Sequence, residues 1–105
     1  HSPVSLKEYL DTSCRLLGRN PEIISADKEF LEENKVQPWS DLPAWVGAMD
    51  LTLDNSKARK DFGIRFESFE KSLEGCIKYY DSLGWKEPAA GLSTTREAEL
   101  IEKLI

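Results

Sequence analysis

Histidine is almost missing from this 105-residue chain, with a single copy at position 1, and there are only two cysteines and one methionine. A lone histidine at the terminus leaves no imidazole inside the domain to act as a general base. No Cys/His cluster has metal-ligand spacing, so no metal site is expected. Cys14 and Cys76 fall among the apolar positions of two expected helices. They read as small buried hydrophobes, unpaired, in a reducing and cytoplasmic compartment. No apolar run approaches the ~18 residues of a membrane span, and no stretch resembles a signal peptide. A Gly-x-Gly-x-x-Gly turn, a Walker loop and a nucleophile elbow are all lacking, so the chain has no cradle of its own for a dinucleotide or a triphosphate. Positive charge is also short. The net charge of −5 and pI near 4.9 exclude a broad phosphate-binding surface, and no nucleic-acid partner is expected. The one basic cluster, Lys57, Arg59, Lys60 and Arg65, reads as a solvated helix face.

What is present is an ordinary globular composition, 40% hydrophobic and 31% charged, with enough chain for one domain over residues 1–105 and a single core. The longest regular pattern runs from Ser68 to Gly84. Phe69, Leu73, Cys76, Ile77, Tyr80 and Leu83 recur at steps of three and four, which places them on one helical face; Glu70, Lys71, Glu74, Lys78 and Asp81 fall largely on the other. Ser68 suits the N-cap and Gly84 the C-terminal stop. A first helix is expected over residues 5–17, opened by a Ser5/Glu8 capping box and stopped at Gly18. A second covers 26–34, with Asp27 in its first turn, and a short one covers 55–62, capped by Asp54 or Ser56, with Ala58 and Phe62 turned inward. A last one opens on a Thr94/Glu97 capping box, carries Ala98, Leu100, Ile101, Leu104 and Ile105 on its apolar side, and pairs Glu99 with Lys103 on its outer face.

Two short stretches, Glu22–Ser25 and Leu51–Asp54, have strand character and, with a helix between them, would pair in parallel. The expected fold class is therefore α+β, mainly helical, with a small two-stranded parallel sheet. Between the second helix and the second strand, residues 36–49 contain two prolines, a glycine and two tryptophans and keep no period. Such a segment is either a surface loop or the lining of a pocket, and its two tryptophans either pack on a partner surface or, for at least one of them, fill the core.

Residues 54–64, Asp-Asn-Ser-Lys-Ala-Arg-Lys-Asp-Phe-Gly-Ile, followed by the Ser-Phe-Glu-Lys-Ser-Leu-Glu-Gly-Cys-Ile-Lys-Tyr-Tyr helix, resemble the C-terminal signature of extended short-chain dehydrogenases/reductases, the NAD-dependent epimerase/dehydratase family. Residues 38–46 and 91–100 are similar to segments of bacterial isoflavone-reductase-like members. That resemblance implies the C-terminal substrate-binding lobe of a longer NAD(P)-dependent oxidoreductase, epimerase or dehydratase. Its Rossmann domain would lie upstream, together with the catalytic tyrosine and lysine. Tyr9, Tyr79 and Tyr80 each lack a lysine four residues on, so no catalytic residue and no cofactor contact is expected within these residues. Trp39, Leu42, Pro43 and Trp45 would shape a pocket for a small carbonyl or hydroxyl compound beside the nicotinamide. The alternative is a free-standing interaction module without catalysis. Where no larger partner covers the tryptophan-bearing face, a homodimer is the expected way to cover it.

Overall fold

Five α-helices form among the residues that a computed structural model describes, which are 3–45, 47 and 52–105: α1 (Leu6–Leu17), α2 (Lys28–Glu33), α3 (Ser56–Phe62), α4 (Phe69–Leu83) and α5 (Thr94–Leu104). The chain divides into two units, each built from two separated stretches. Unit 1 comprises His1–Pro21 and Leu51–Lys86; unit 2 comprises Glu22–Asp50 and Glu87–Ile105.

Local chemistry opens and closes nearly every helix. In unit 1, the Ser5 hydroxyl accepts the Glu8 N–H at 3.1 Å while the Glu8 carboxylate accepts the Ser5 N–H at 2.7 Å, the reciprocal box expected from the sequence. Gly18, at φ 65°, ends α1 in the left-handed region, and the Arg19 N–H returns to the Cys14 carbonyl at 2.9 Å. The N-cap of α3 is Asn55, which makes no side-chain cap bond, and not Asp54 or Ser56 as expected; Asp54 lies one residue before that cap. Its carboxylate accepts the Ser56 N–H at 2.9 Å and the Ser56 hydroxyl at 3.0 Å, and these two bonds hold its pKa below the ordinary carboxylate value. Because the folded pKa is depressed, this contribution is in place above an unfolded pKa of about 3.9 and is lost as pH falls through the lower folded value.

The packing in unit 1 is concentrated where the first turn of α4 lies against α1. The Tyr9 and Phe69 rings stand 5.8 Å apart, and Arg15 pairs with Glu70 at 2.9 Å. Phe69, Ser72, Leu73 and Ile77 are half-buried, which bears out the first half of the expected apolar face. The second half is exposed: Cys76, Tyr80 and Leu83 face solvent, so Cys76 is not a buried hydrophobe, whereas Cys14 is half-buried. At the end of α4, Tyr80 stacks on Trp85 with ring centroids 6.0 Å apart, and the Trp85 indole donates to the Asp81 carboxylate at 3.2 Å. Phe62 is 77% exposed, against the expectation that it turns inward with Ala58.

The expected parallel sheet does not form. Among the described residues no strand exists, and the one β-type pairing is an isolated parallel bridge between Pro38 and Leu42. Residues 22–25 run without regular structure, with Ile23 and Ile24 exposed. Of the second expected strand, Leu51 lies outside the described residues and Leu53 is 87% exposed. Two four-residue strands offer too few ladder bonds to outweigh their ordering entropy without a third strand or a packed face. The class is helical.

Unit 2 holds the two buried hydrophobic side chains found among the described residues, Val36 and Leu100, each 5% exposed. The chain as a whole exposes 8946 Å² at 11.9 kDa. A compact monomer of that mass would expose about 5,900 Å², and two separate compact bodies of half the mass about 7,200 Å² together.

The last helix corrects the expected cap. Ser93, not Thr94, is the N-cap, its hydroxyl accepting the Arg96 N–H at 3.1 Å. Ser93→Ala is expected to cost about 1 kcal/mol and Thr94→Ala no more than a few tenths. Leu73→Ala and Ile77→Ala are expected to cost about 1–2 kcal/mol each, below the range for fully buried sites, and Lys78→Ala to stay within about 0.5. Chemical denaturation followed by far-ultraviolet circular dichroism separates these; equal midpoints at 73, 77 and 78 would mean that this face does not pack.

Candidate functional site

The irregular stretch after α2 folds into a closed turn. α2 is opened by Asp27, whose carboxylate accepts the Phe30 N–H at 2.8 Å, and so the sequence's first-turn residue is the cap itself. Its far end is a two-bond C-terminal motif. The Lys35 N–H reaches the Glu32 carbonyl at 3.0 Å and the Val36 N–H the Leu31 carbonyl at 2.9 Å, with Lys35 at φ 57° in the position that glycine usually takes. The lysine gives no warning of this stop, which is why the sequence reads the helix as ending without a motif.

From Gln37 the backbone doubles back. The Asp41 and Leu42 N–H groups both return to the Gln37 carbonyl, at 3.2 and 3.4 Å, and the Asp41 carboxylate accepts the Gln37 N–H at 2.8 Å. The Trp39 N–H reaches the Trp45 carbonyl at 3.2 Å and the Trp45 N–H the Leu42 carbonyl at 3.1 Å. These bonds bring Trp39, Leu42 and Trp45 into one small ring of backbone. Pro43 lies near Gly91: a Cβ on Gly91, itself at φ 110°, would stand 3.9 Å from two of its ring carbons. All four residues expected to line a pocket thus belong to one turn. Trp39 and Pro43 are exposed, and Leu42 and Trp45 are half-buried. Val46, Ala48 and Met49 of the same stretch lie outside the described residues.

Within the turn, two further positions besides Lys35 carry left-handed backbone without being glycine, Trp39 at φ 66° and Ala44 at φ 70°. For a bulky residue that conformation is rare and costs on the order of 1–3 kcal/mol, so the surrounding bonds must over-determine it. The result is an indole, 61% exposed, held out from a turn whose own amides and carbonyls are largely satisfied.

Residues that the sequence did not point to hold this turn in place. The Arg96 guanidinium donates to the Asn34 carbonyl at 2.7 Å, the Lys103 ammonium to the Asn34 Oδ1 at 2.8 Å, and the Asn34 amide to the Phe30 carbonyl at 2.9 Å. The Gly91 N–H donates to the Ser40 carbonyl at 2.7 Å. Lys103 is therefore engaged with Asn34; Glu99 pairs with Arg96 at 3.4 Å, not with Lys103 as expected. A cation, an apolar residue and a cation at 96, 100 and 103, steps of four and three, were the available signal in the sequence.

Chemically the turn offers apolar surface and one carboxylate, Asp41, already engaged by the backbone. Among the described residues no group of three His, Cys, Asp or Glu side chains could hold a metal ion, and no helix is long and apolar enough to cross a membrane. Comparison of the chain with protein-family models, curated proteins and solved structures finds no match.

Ala44 supplies a check on the turn. Ala44→Gly is expected to raise stability by up to about 1 kcal/mol, because relief of the left-handed backbone outweighs the added freedom of the unfolded chain. A lower melting temperature would mean that residue 44 is not held at positive φ in solution.

Proposed function

We propose that this chain is the substrate-side lobe of an NAD(P)-dependent oxidoreductase, epimerase or dehydratase, and that it contributes apolar wall to a pocket whose cofactor and catalytic groups come from a Rossmann domain encoded upstream. The observation that carries the reading is the Trp39 indole, exposed from a backbone-closed turn that also contains Leu42, Pro43 and Trp45. A turn that spends strain energy to present an aromatic ring to solvent is suited to packing on something planar or apolar. Exposed apolar side chains such as Leu53, Phe62 and Trp85 point the same way, since uncovered apolar area is what a lobe has before its partner domain covers it. The likeness of residues 54–80 to the family's C-terminal signature supplies the enzyme class.

In this reading the lobe does no proton or hydride chemistry. Its role is to exclude water and to orient a small carbonyl or hydroxyl compound, which raises the effective concentration of the reacting groups. The test compares the 105-residue chain with the product of its complete reading frame, including any residues before His1. The chain alone is expected to bind neither NAD nor NADP in calorimetric titration, because it has no glycine turn feeding a helix N-terminus. The complete product is expected to bind one of them at micromolar concentration, and Trp39→Ala in it is expected to raise KM for a small carbonyl substrate several-fold with kcat less affected. A complete product that binds neither nucleotide overturns the reading in favour of an interaction module; micromolar nucleotide binding by the chain alone overturns it in a different way, because the cofactor site would then lie within these residues.

A further inference from the structure

We infer that α5 is the clamp that sets the tryptophan turn, with Arg96 as its principal positioning residue and Lys103 and Gly91 in support. Where catalysis is concerned this rests on the pocket reading above; the clamp itself does not.

The geometry is a two-point hold on one short stretch. At the entry to the turn, Asn34 is gripped twice from α5: its backbone carbonyl by the Arg96 guanidinium at 2.7 Å and its side-chain oxygen by the Lys103 ammonium at 2.8 Å. The Arg96 contact is partly buried, and the guanidinium is steadied from its own helix by Glu99 at 3.4 Å. Near the tip, the Ser40 carbonyl takes the Gly91 N–H at 2.7 Å, two residues before the Ser93 cap of α5. Between the two holds lie Lys35 at φ 57°, the buried Val36, and Trp39 at φ 66°. A segment with two left-handed residues and no glycine keeps that path only when both ends are fixed. Leu100, the buried residue of α5, lies between the two cations on the same helical side, so the charge contacts and the apolar contact of α5 act on one face.

The three anchors differ in kind. A guanidinium keeps its charge at all ordinary pH values and presents a planar fork of donors; an ammonium is a flexible point charge. Arg96 is accordingly the anchor with directional strength, and a lysine there keeps the charge without the reach. The polar contacts of Arg96, Lys103 and the Gly91 N–H are with Asn34 and Ser40, so these groups are positioning residues. Their effect is on where the Trp39 indole stands. By linkage, a ligand that packs on Trp39 favours the docked state of α5 by as much as docking favours the ligand.

The test uses tryptophan emission from the 105-residue chain carrying Trp85→Phe, which leaves Trp39 and Trp45 as the reporters. Arg96→Ala is expected to red-shift emission and increase acrylamide quenching while the helical circular dichroism signal is retained. Arg96→Lys is expected to recover part of that change, and Lys103→Met to give a smaller change in the same direction. Should Arg96→Ala fail to fold, Lys103→Met decides alone. Unchanged emission and quenching in a folded Arg96→Ala, or in Lys103→Met where Arg96→Ala does not fold, overturns the clamp. In the complete reading-frame product, Arg96→Ala is expected to lower kcat/KM by up to about a hundredfold, mainly through KM. The emission measurement needs no cofactor or substrate, so a chain that passes it within a product that binds no nucleotide would retain the clamp and lose the enzyme reading.

Discussion

Unit 2 hangs on a single residue, Asn34, which closes α2, opens the tryptophan turn and receives both cations of α5. It uses every polar atom it has: its N–H returns to Phe30 at 3.1 Å, its amide donates to the same carbonyl at 2.9 Å, its carbonyl takes Arg96 and its Oδ1 takes Lys103. Two cations at the C-terminal end of a helix also complement the partial negative charge of its free carbonyls. Asparagine is suited to this place because it supplies a donor and an acceptor on one short side chain. Aspartate would lose the donor to Phe30, and alanine would leave Lys103 without its partner.

Across both units, local structure is strong and tertiary packing is thin. Caps built from Ser5, Asp27, Ser68 and Ser93 each satisfy a free amide of a helix start, which contributes about 1 kcal/mol apiece. Against that, only Val36 and Leu100 are buried hydrophobics among the described residues, and neither is fully buried. Isolated helices of 6 to 15 residues are marginal in water. Their persistence depends on burying one face, so the half-exposed face of α4 and the bare ring of Phe62 describe a chain whose apolar pattern was written for more contact than it makes with itself.

The parts that were legible in the sequence are those decided within four residues. Ser5 with Glu8, Gly18, Ser68 and Gly63 announce helix ends by chemistry that needs no distant partner, and α1, α3 and α4 lie where the periodicity placed them. What failed was decided at long range. The β-branched run at 22–25 has the composition of a strand, yet a strand exists only by pairing, and no ladder forms beside it among the described residues. The expected apolar side of α5 holds at Leu100 and Ile101 and fails at Leu104 and Ile105, which lie at a helix end where period counts for little, while the contacts of Arg96 and Lys103 are decided at long range. Within the candidate site, the irregular Pro- and Trp-rich composition marked a break in regular structure, and the four named residues share one turn there. The left-handed backbone at Lys35, Trp39 and Ala44 could not be foreseen, since the residue type that usually announces it is absent from all three positions.

The two units are interleaved along the chain, and this has a consequence for how unit 2 assembles. Asn34 meets Arg96 and Lys103 across separations of 62 and 69 residues, with most of unit 1 threaded between. Closing a loop of that length costs about 4 kcal/mol of chain entropy, comparable to what two charge-assisted hydrogen bonds return. Contacts that only break even at closure form late, after shorter-range structure has drawn the ends together. During synthesis from the N-terminus, residues 22–45 therefore emerge and wait, with both tryptophans exposed, until the ribosome has delivered the last helix; in that interval this stretch is the one most available to a chaperone or to another nascent chain.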